Sequence, residues 1–203
     1  KLLYVEISTA HTEIITSFVE ALYQKYDLHL LINEKSSQRV EHLSQKVTIA
    51  TLREAEFLTD VLEYKNKLKP DLILMNSAQG RRIRDLCLRL FFDRTAIVGI
   101  HHNAENLYKS FTQKIIHFKI KKYIVLADFI KNHLKEKTKV EIESFYPLTY
   151  PQKQTQRLES NFKFVAIPGV LEQDRRDYLG FVEIVKAHNA KLDPYLKFAL
   201  LGN

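Results

Sequence analysis

The chain has 203 residues, 45% of them hydrophobic, which is enough for one full α/β domain and part of another and argues against intrinsic disorder. Its formal net charge of +7 favours an anionic partner, and anionic lipid, phosphorylated sugars and nucleic acid all fit. Tryptophan is absent and no nucleic-acid-binding module is recognisable, so nucleic acid ranks last and no nucleic-acid partner is expected.

Cysteine usage and hydropathy bear on where the protein works. The single Cys87 excludes an intrachain disulfide, and its apolar, helical setting predicts a buried thiol in a reducing compartment. No run is long enough to span a bilayer, and no secretory signal pattern is visible. We therefore expect a cytoplasmic protein, with contact to the inner face of a membrane left open.

Apolar runs and helical stripes alternate from the start of the chain to about residue 142. The runs predict seven strands, at residues 2–7, 28–32, 47–50, 71–75, 96–100, 123–126 and 139–142. Stripes at helical spacing predict helices at residues 14–22, 58–68, 83–91 and 129–134, with a weak polar helix at residues 36–45. This alternation predicts an α/β fold with a doubly wound parallel sheet, Rossmann-like, with right-handed crossovers.

Residues 104–122 form a less regular segment, in which apolar side chains do not keep one face and lysines interleave them. The sequence predicts a single helix of uneven amphipathicity near the surface. It fits a membrane-surface or partner-docking patch. It equally fits a solvated helix whose lysine stems cover apolar surface, and both interpretations stay open.

The domain organisation follows from residues 149–161, which are polar, contain Pro151 and carry no apolar stripe, as expected of a linker. Residues 1–148 then form the first domain. Residues 162–203 predict a strand, a helix and a second strand, and a two-stranded parallel sheet cannot bury both faces. We expect the parent chain to continue beyond Asn203, and the exposed strands to pack on the first domain or on another copy, as a homo-oligomer.

The carboxyl edge of the predicted sheet is where ligands bind in doubly wound folds. Polar residues at the ends of different strands share this edge: His11, Asn76, His101, His102, Asn103 and Asp128. Adjacent residues on a strand point to opposite sides, so one of the two neighbouring histidines should reach the site. No metal is expected, because neighbouring histidines rarely chelate one ion and no carboxylate or cysteine stands at a suitable spacing.

The sequence lacks the motifs of tight dinucleotide binding, of Ser–His–acid hydrolysis and of P-loop phosphate binding, which argues against these functions at this edge. The loop after the first strand has no dinucleotide-binding fingerprint, and neither a nucleophile elbow nor a phosphate-binding P-loop occurs.

The turn and helix start after residue 162 resemble a known family. An apolar strand ends at Gly169, and the basic pair Arg175 and Arg176 opens a helix, as in the donor-binding domain of GT-B glycosyltransferases. The specific resemblance is to the large retaining family related to sucrose and glycogen synthases, also called glycosyltransferase group 1 or family 4-like. Val170 stands where that family usually has a phosphate-binding Arg, and Asp177 replaces a Gly.

The resemblance implies a glycosyltransferase that moves a sugar from a nucleotide-sugar donor to an unknown acceptor with retention at the anomeric carbon, without a cofactor or an obligatory metal. It assigns Gly169, Arg175 and Arg176 to donor binding and His101 to catalysis near the transferred sugar. The acceptor-binding candidates are the remaining residues of the edge: His11, Asn76, His102, Asn103 and Asp128.

Two further expectations concern activity. Since a GT-B site lies between two domains, this 203-residue chain should be inactive by itself. The alternative to an enzyme is a non-catalytic α/β domain that binds an anionic ligand or a protein partner, or one half of a split glycosyltransferase.

Overall fold

The structure is a computed structural model that describes residues 1–9, 11–102, 106–146, 163–168, 178–191 and 196–201. The chain divides into two compact units, Lys1–Thr149 and Tyr150–Asn203. The linker predicted at residues 149–161 lies outside the described residues and stays a prediction.

The first unit is built on one sheet of seven parallel strands. They are β1 Leu2–Glu6, β2 Leu28–Asn33, β3 Thr48–Leu52, β4 Leu72–Met75, β5 Ala96–His101, β6 Lys122–Val125 and β7 Glu141–Ser144. Their order is β3-β2-β1-β4-β5-β6-β7, and the predicted doubly wound Rossmann-like α/β fold is confirmed. The order reverses between β1 and β4, so the loops after these two strands diverge there and leave room for a ligand.

Helices connect the strands and cover the sheet. They are α1 Thr12–Leu22, α2 Phe57–Leu68, α3 Gly80–Arg89, α4 Asn106–Lys109, α5 Phe111–Lys119 and α6 Asp128–Lys135, with a 3₁₀ helix at Glu34–Leu43. The prediction of one helix over residues 104–122 is wrong. Ser110 has an extended backbone that separates α4 from α5, and Lys122 already belongs to β6.

Both faces of the sheet are buried, which explains why the strands are apolar runs and not alternating patterns. All five residues of β1 are buried, with Leu3 in the core on one face and Tyr4 in the core on the other. Cys87 lies in the first of these cores, as predicted, and burial raises the pKa of its thiol to about 12. None of the described helices is both long and apolar enough to cross a bilayer.

The second unit contains β8 Lys163–Pro168, α7 Tyr178–Lys191 and β9 Leu196–Leu201. The two strands pair in parallel, with Val165 opposite Phe198, so the predicted strand–helix–strand unit is confirmed. The helix start predicted at Arg175 and Arg176 lies outside the described residues.

Candidate functional site at the carboxyl edge of the sheet

Three polar residues converge at the carboxyl ends of β1, β4 and β5, which are neighbours in the sheet. Glu6 is the last residue of β1, Asn76 follows β4, and His102 follows β5. Because parallel strands end at the same edge, their side chains meet at the point where the strand order reverses. The sheet therefore builds a polar cluster at the place where doubly wound folds bind ligands.

Glu6 is the innermost member of this cluster, with 0% of its surface exposed. Its Oε1 accepts a hydrogen bond from the backbone N–H of Ser8 at 2.6 Å, and its Oε2 accepts one from Nδ2 of Asn76. Burial raises the pKa of Glu6 to about 7, although the bonds from Ser8 and Asn76 act in the opposite direction. The buried carboxyl group therefore titrates near neutral pH.

The side-chain amide of Asn76 links Glu6 to His102 by one hydrogen bond to each. The Asn76 amide nitrogen faces the carboxylate, so its carbonyl oxygen faces His102, whose Nε2 lies 2.9 Å away. Since a carbonyl oxygen only accepts hydrogen bonds, Nε2 of His102 carries the proton. The other ring nitrogen, Nδ1, is then the acceptor of the neutral ring. Burial, followed by the charge of His11, lowers the pKa of His102 to about 4 and keeps the ring neutral at working pH.

His11 forms the outer layer of the cluster. Its ring stacks on the ring of His102, with centroids 4.3 Å apart and an angle of 9° between the planes. The side chain of His11 is partly exposed, and its Nδ1 lies 3.8 Å from Oε1 of Glu13. A ligand approaching the edge from solvent therefore meets His11 before it meets His102.

Backbone strain is concentrated beside the same cluster. Three non-glycine residues in the described part of the chain have a positive φ, and one of them, Lys69, ends α2 in the ordinary way. The other two are His11, at φ 69°, and Ser77, directly after Asn76, at φ 51°. Strained backbone of this kind clusters at functional sites, which marks this edge on grounds independent of the hydrogen bonds.

His101 lies on the opposite side of β5 from His102, as the alternation of a strand predicts. It is 1% exposed, and its ring meets the ring of Tyr123 edge-on, with centroids 6.2 Å apart. The hydroxyl of Tyr123 accepts a hydrogen bond from Nε2 of Gln113 at 3.1 Å. The structure thus places His102 with Asn76 and His11, and His101 in the core. The catalytic role assigned to His101 by resemblance stays a prediction.

Asp128 is at the same edge, as the first residue of α6 after the neighbouring strand β6, and its side chain is exposed. Its Oδ1 accepts a hydrogen bond from Oγ of Ser144, and its backbone N–H donates to the hydroxyl of Tyr146 at 3.0 Å. Four other predicted site residues lie outside the described part of the chain: Asn103, Gly169, Arg175 and Arg176. In the part that is described, no group of three or more His, Cys, Asp or Glu is placed to hold a metal ion.

Sequence reasoning missed Glu6, the residue on which the cluster is built. A signal was present, because Glu6 is a charged residue inside the apolar run of the first strand, two residues before the polar loop that begins at Ser8. A charge in such a run is buried and needs partners, and those partners come from strands far away in sequence.

No protein-family model and no curated protein sequence matches this chain. Solved structures do resemble it. HepE from Anabaena in complex with UDP matches with a TM-score of 0.62 and 11% identity, over 99% of this chain and 69% of that one. UDP-GlcNAc 2-epimerase from Neisseria meningitidis bound to UDP-GlcNAc matches with a TM-score of 0.62 and 14% identity, over 98% and 64%. MurG from Acinetobacter baumannii matches with a TM-score of 0.51 and 12% identity, over 100% and 68%.

These likenesses show the fold. The chain has the Rossmann-like α/β fold that these GT-B glycosyltransferases and epimerases share. The specific family suggested by residues 162–203 stays a prediction. The chain spans between 60% and 69% of the length of the first neighbours.

Proposed function

We propose that this chain is the acceptor-side domain, with the start of the donor domain, of a glycosyltransferase that moves a sugar from a nucleotide-sugar to an acceptor hydroxyl. The observation that carries the proposal is the hydrogen-bonded series Glu6–Asn76–His102 at the point where the strand order reverses. The fold supports it, because HepE is seen with UDP and with glucose, and the epimerase with UDP-GlcNAc. No cofactor and no obligatory metal enters the proposed reaction.

The proposed role of His102 is to receive a sugar or acceptor hydroxyl at Nδ1. The ring is held in one tautomer, because Nε2 donates to Asn76. A neutral ring in a fixed orientation offers its lone pair without first losing a proton or rotating, so little reorganisation is needed when the hydroxyl arrives. His11, stacked on the outer face of this ring, restricts the direction of approach.

Glu6 acts in this scheme as a positioning residue, because it is fully buried and cannot touch a substrate. Its carboxylate orients the Asn76 amide, and that amide orients His102. An ionised aspartate at position 76 would offer only hydrogen-bond acceptors and could not serve both neighbours. An amide presents a donor to one side and an acceptor to the other. The series is therefore directional.

The donor's diphosphate is proposed to be bound by Gly169, Arg175 and Arg176, and the transfer to proceed with retention, as in the family related to sucrose and glycogen synthases. Only the resemblance of the sequence supports these assignments. The physical basis is that a helix start with basic side chains stabilises phosphate oxygens and the charge of a departing diphosphate.

The proposal is tested by assaying a panel of nucleotide-sugars for nucleoside diphosphate release and for sugar transfer. Since the neighbours are longer, turnover is measured in the longest polypeptide that contains this chain. We expect His102→Ala to lower kcat about 100-fold, the low end of the loss for a positioned proton-handling group. The matched control is His42→Ala, at an exposed histidine of the 3₁₀ helix.

Three results would contradict the proposal. Nucleotide-sugar binding without turnover would favour the non-catalytic binding domain. A changed sugar configuration without transfer would identify an epimerase. Equal losses of kcat in His102→Ala and His42→Ala would show that the carboxyl edge is not the site.

A further inference from the structure

Exposed aromatic side chains mark the opposite edge of the sheet, which the proposed reaction does not use. Phe91 and Phe92 follow α3 and precede β5, and Phe92 is 93% exposed. Their rings meet edge-on, with centroids 5.0 Å apart. Phe118, near the end of α5, is 67% exposed. Single exposed apolar residues are common, but three phenylalanines on one surface need an explanation.

The three rings belong to one surface because α3 and α5 pack against each other. Nζ of Lys119, at the end of α5, donates a hydrogen bond to the backbone carbonyl of Asp93, next to Phe92. Nζ of Lys121 lies 5.8 Å from the centre of the Phe118 ring. The turn after α3 and the end of α5 are thus held side by side.

The charges around the rings are mainly positive. Arg89 and Arg94 flank the phenylalanine pair and are exposed. Lys114 and Lys121 line an open groove of about 550 Å³ together with Phe118. The nearby acidic side chains form ion pairs with lysines outside this group: Asp93 with Lys65, and Glu141 with Lys122 at 2.5 Å. We call the set Phe91, Phe92, Phe118, Arg89, Arg94 and Lys121 the aromatic–basic surface.

We propose that the aromatic–basic surface docks onto an anionic lipid bilayer. Exposed aromatic rings surrounded by Lys and Arg suit an interface where the rings enter the headgroup region and the cations meet acidic lipids. The net charge of +7 points the same way, because it draws the whole chain towards an anionic surface. This inference does not depend on the proposed reaction.

A second copy of the chain is a poorer occupant for the same surface. A two-fold dimer through this patch would bring the basic side chains of one copy close to those of the other, and like charges in an interface are unfavourable. Charge complementarity therefore selects an acidic partner, and the exposed rings select one that can accept apolar side chains.

The first experiment is sedimentation of the full chain with vesicles of phosphatidylcholine alone and of phosphatidylcholine mixed with phosphatidylglycerol. We expect binding to the mixed vesicles that weakens with added salt. The double variant Phe91→Ser, Phe92→Ser should lower the partition constant by about tenfold or more, as apolar insertion is lost. Arg94→Gln and Lys121→Gln should each lower it by about fivefold, the loss for one basic residue near the surface.

A second experiment uses the absence of tryptophan from the chain. Phe92→Trp places one reporter on the surface, and its emission should shift to the blue when phosphatidylglycerol vesicles are added. The matched control is Phe129→Trp, since Phe129 is also exposed but lies at the start of α6, at the other edge of the sheet. Its emission should not change.

The inference is overturned if the chain binds neutral and mixed vesicles equally, or binds neither. Equal shifts at positions 92 and 129 would also overturn it, because they would mean that no particular surface faces the lipid. So would a dimer in light scattering that Phe91→Ser, Phe92→Ser dissociates, since a second copy would then be the occupant.

Discussion

The two ends of the strands in the seven-stranded sheet, which form its carboxyl edge and its amino edge, depart from ordinary burial in opposite ways. At the carboxyl edge, Glu6 hides a carboxyl group that water would normally solvate. At the amino edge, Phe92 exposes a ring that a core would normally cover. Both arrangements cost folding free energy, and each has neighbours suited to a partner: a fixed hydrogen-bond network at one edge, and cations around the rings at the other. The comparison teaches that one sheet can present two surfaces of different chemistry.

The largest expected effect is on the pH dependence of stability at the carboxyl edge. Folding raises the pKa of Glu6 from 4.5 to about 7, so its contribution to stability is complete below 4.5 and is lost as the pH rises to 7. Folding lowers the pKa of His102 from 6.5 to about 4, so its contribution is present above 6.5 and is lost as the pH falls to 4. In the wild type the two contributions oppose each other.

Single variants should separate them. Measured relative to wild type by urea unfolding, Glu6→Gln should gain stability as the pH rises from 4.5 to 7. His102→Ala should lose relative stability as the pH rises from 4 to 6.5. The change should be on the order of 3 kcal/mol for Glu6→Gln, from 1.36 kcal/mol per pKa unit, and smaller for His102→Ala, because water partly screens the His102 ring. Parallel curves for the two variants would contradict the distinction between the buried acid Glu6 and the partly buried base His102.

A smaller effect is expected when the link between them is removed. Asn76→Ala takes a hydrogen-bond donor from the Glu6 carboxylate and an acceptor from His102, and should cost about 2–3 kcal/mol at pH 8. Asn66→Ala, at an exposed asparagine of α2, is the control and should stay within about 0.5 kcal/mol of wild type. Equal costs at the two positions would show that the cluster is not a network.

The smallest effect is expected at the amino edge. Phe92→Ser removes a ring that is already in water, so the free energy of unfolding should change by no more than about 0.5 kcal/mol. Denaturant unfolding of the variant in the absence of lipid checks this. A loss comparable with that of Asn76→Ala would mean that Phe92 belongs to the core and not to a docking surface.

Much of the fold could be predicted from the sequence because parallel strands buried on both faces leave a simple pattern of apolar runs. The candidate edge followed from the same pattern, and with it Asn76 and His102. What could not be predicted depends on contacts between distant residues. Glu6 meets Asn76 across 70 positions, so its importance is invisible along the chain.

The irregular segment at residues 104–122 shows a second limit. Its buried apolar residues, Leu107, Ile116 and Ile120, lie in two separate helices and directly after the second one, so no single period fits them. The exposure of Phe92 had a similar cause. Phe91 and Phe92 directly follow Leu90, a buried residue at the end of α3. Only the position of the turn in the structure shows that both rings are exposed.

The account is tested most directly by adding UDP-N-acetylglucosamine and UDP-glucose to the ¹⁵N-labelled chain and following the backbone amide signals. If the carboxyl edge is the ligand site, the largest shifts within residues 1–149 will be those of Ser8, Asn76 and His102, and the signal of Phe92 will stay in place. Shifts centred on Phe91 and Phe92, or no shifts with any nucleotide-sugar, would contradict the central claim.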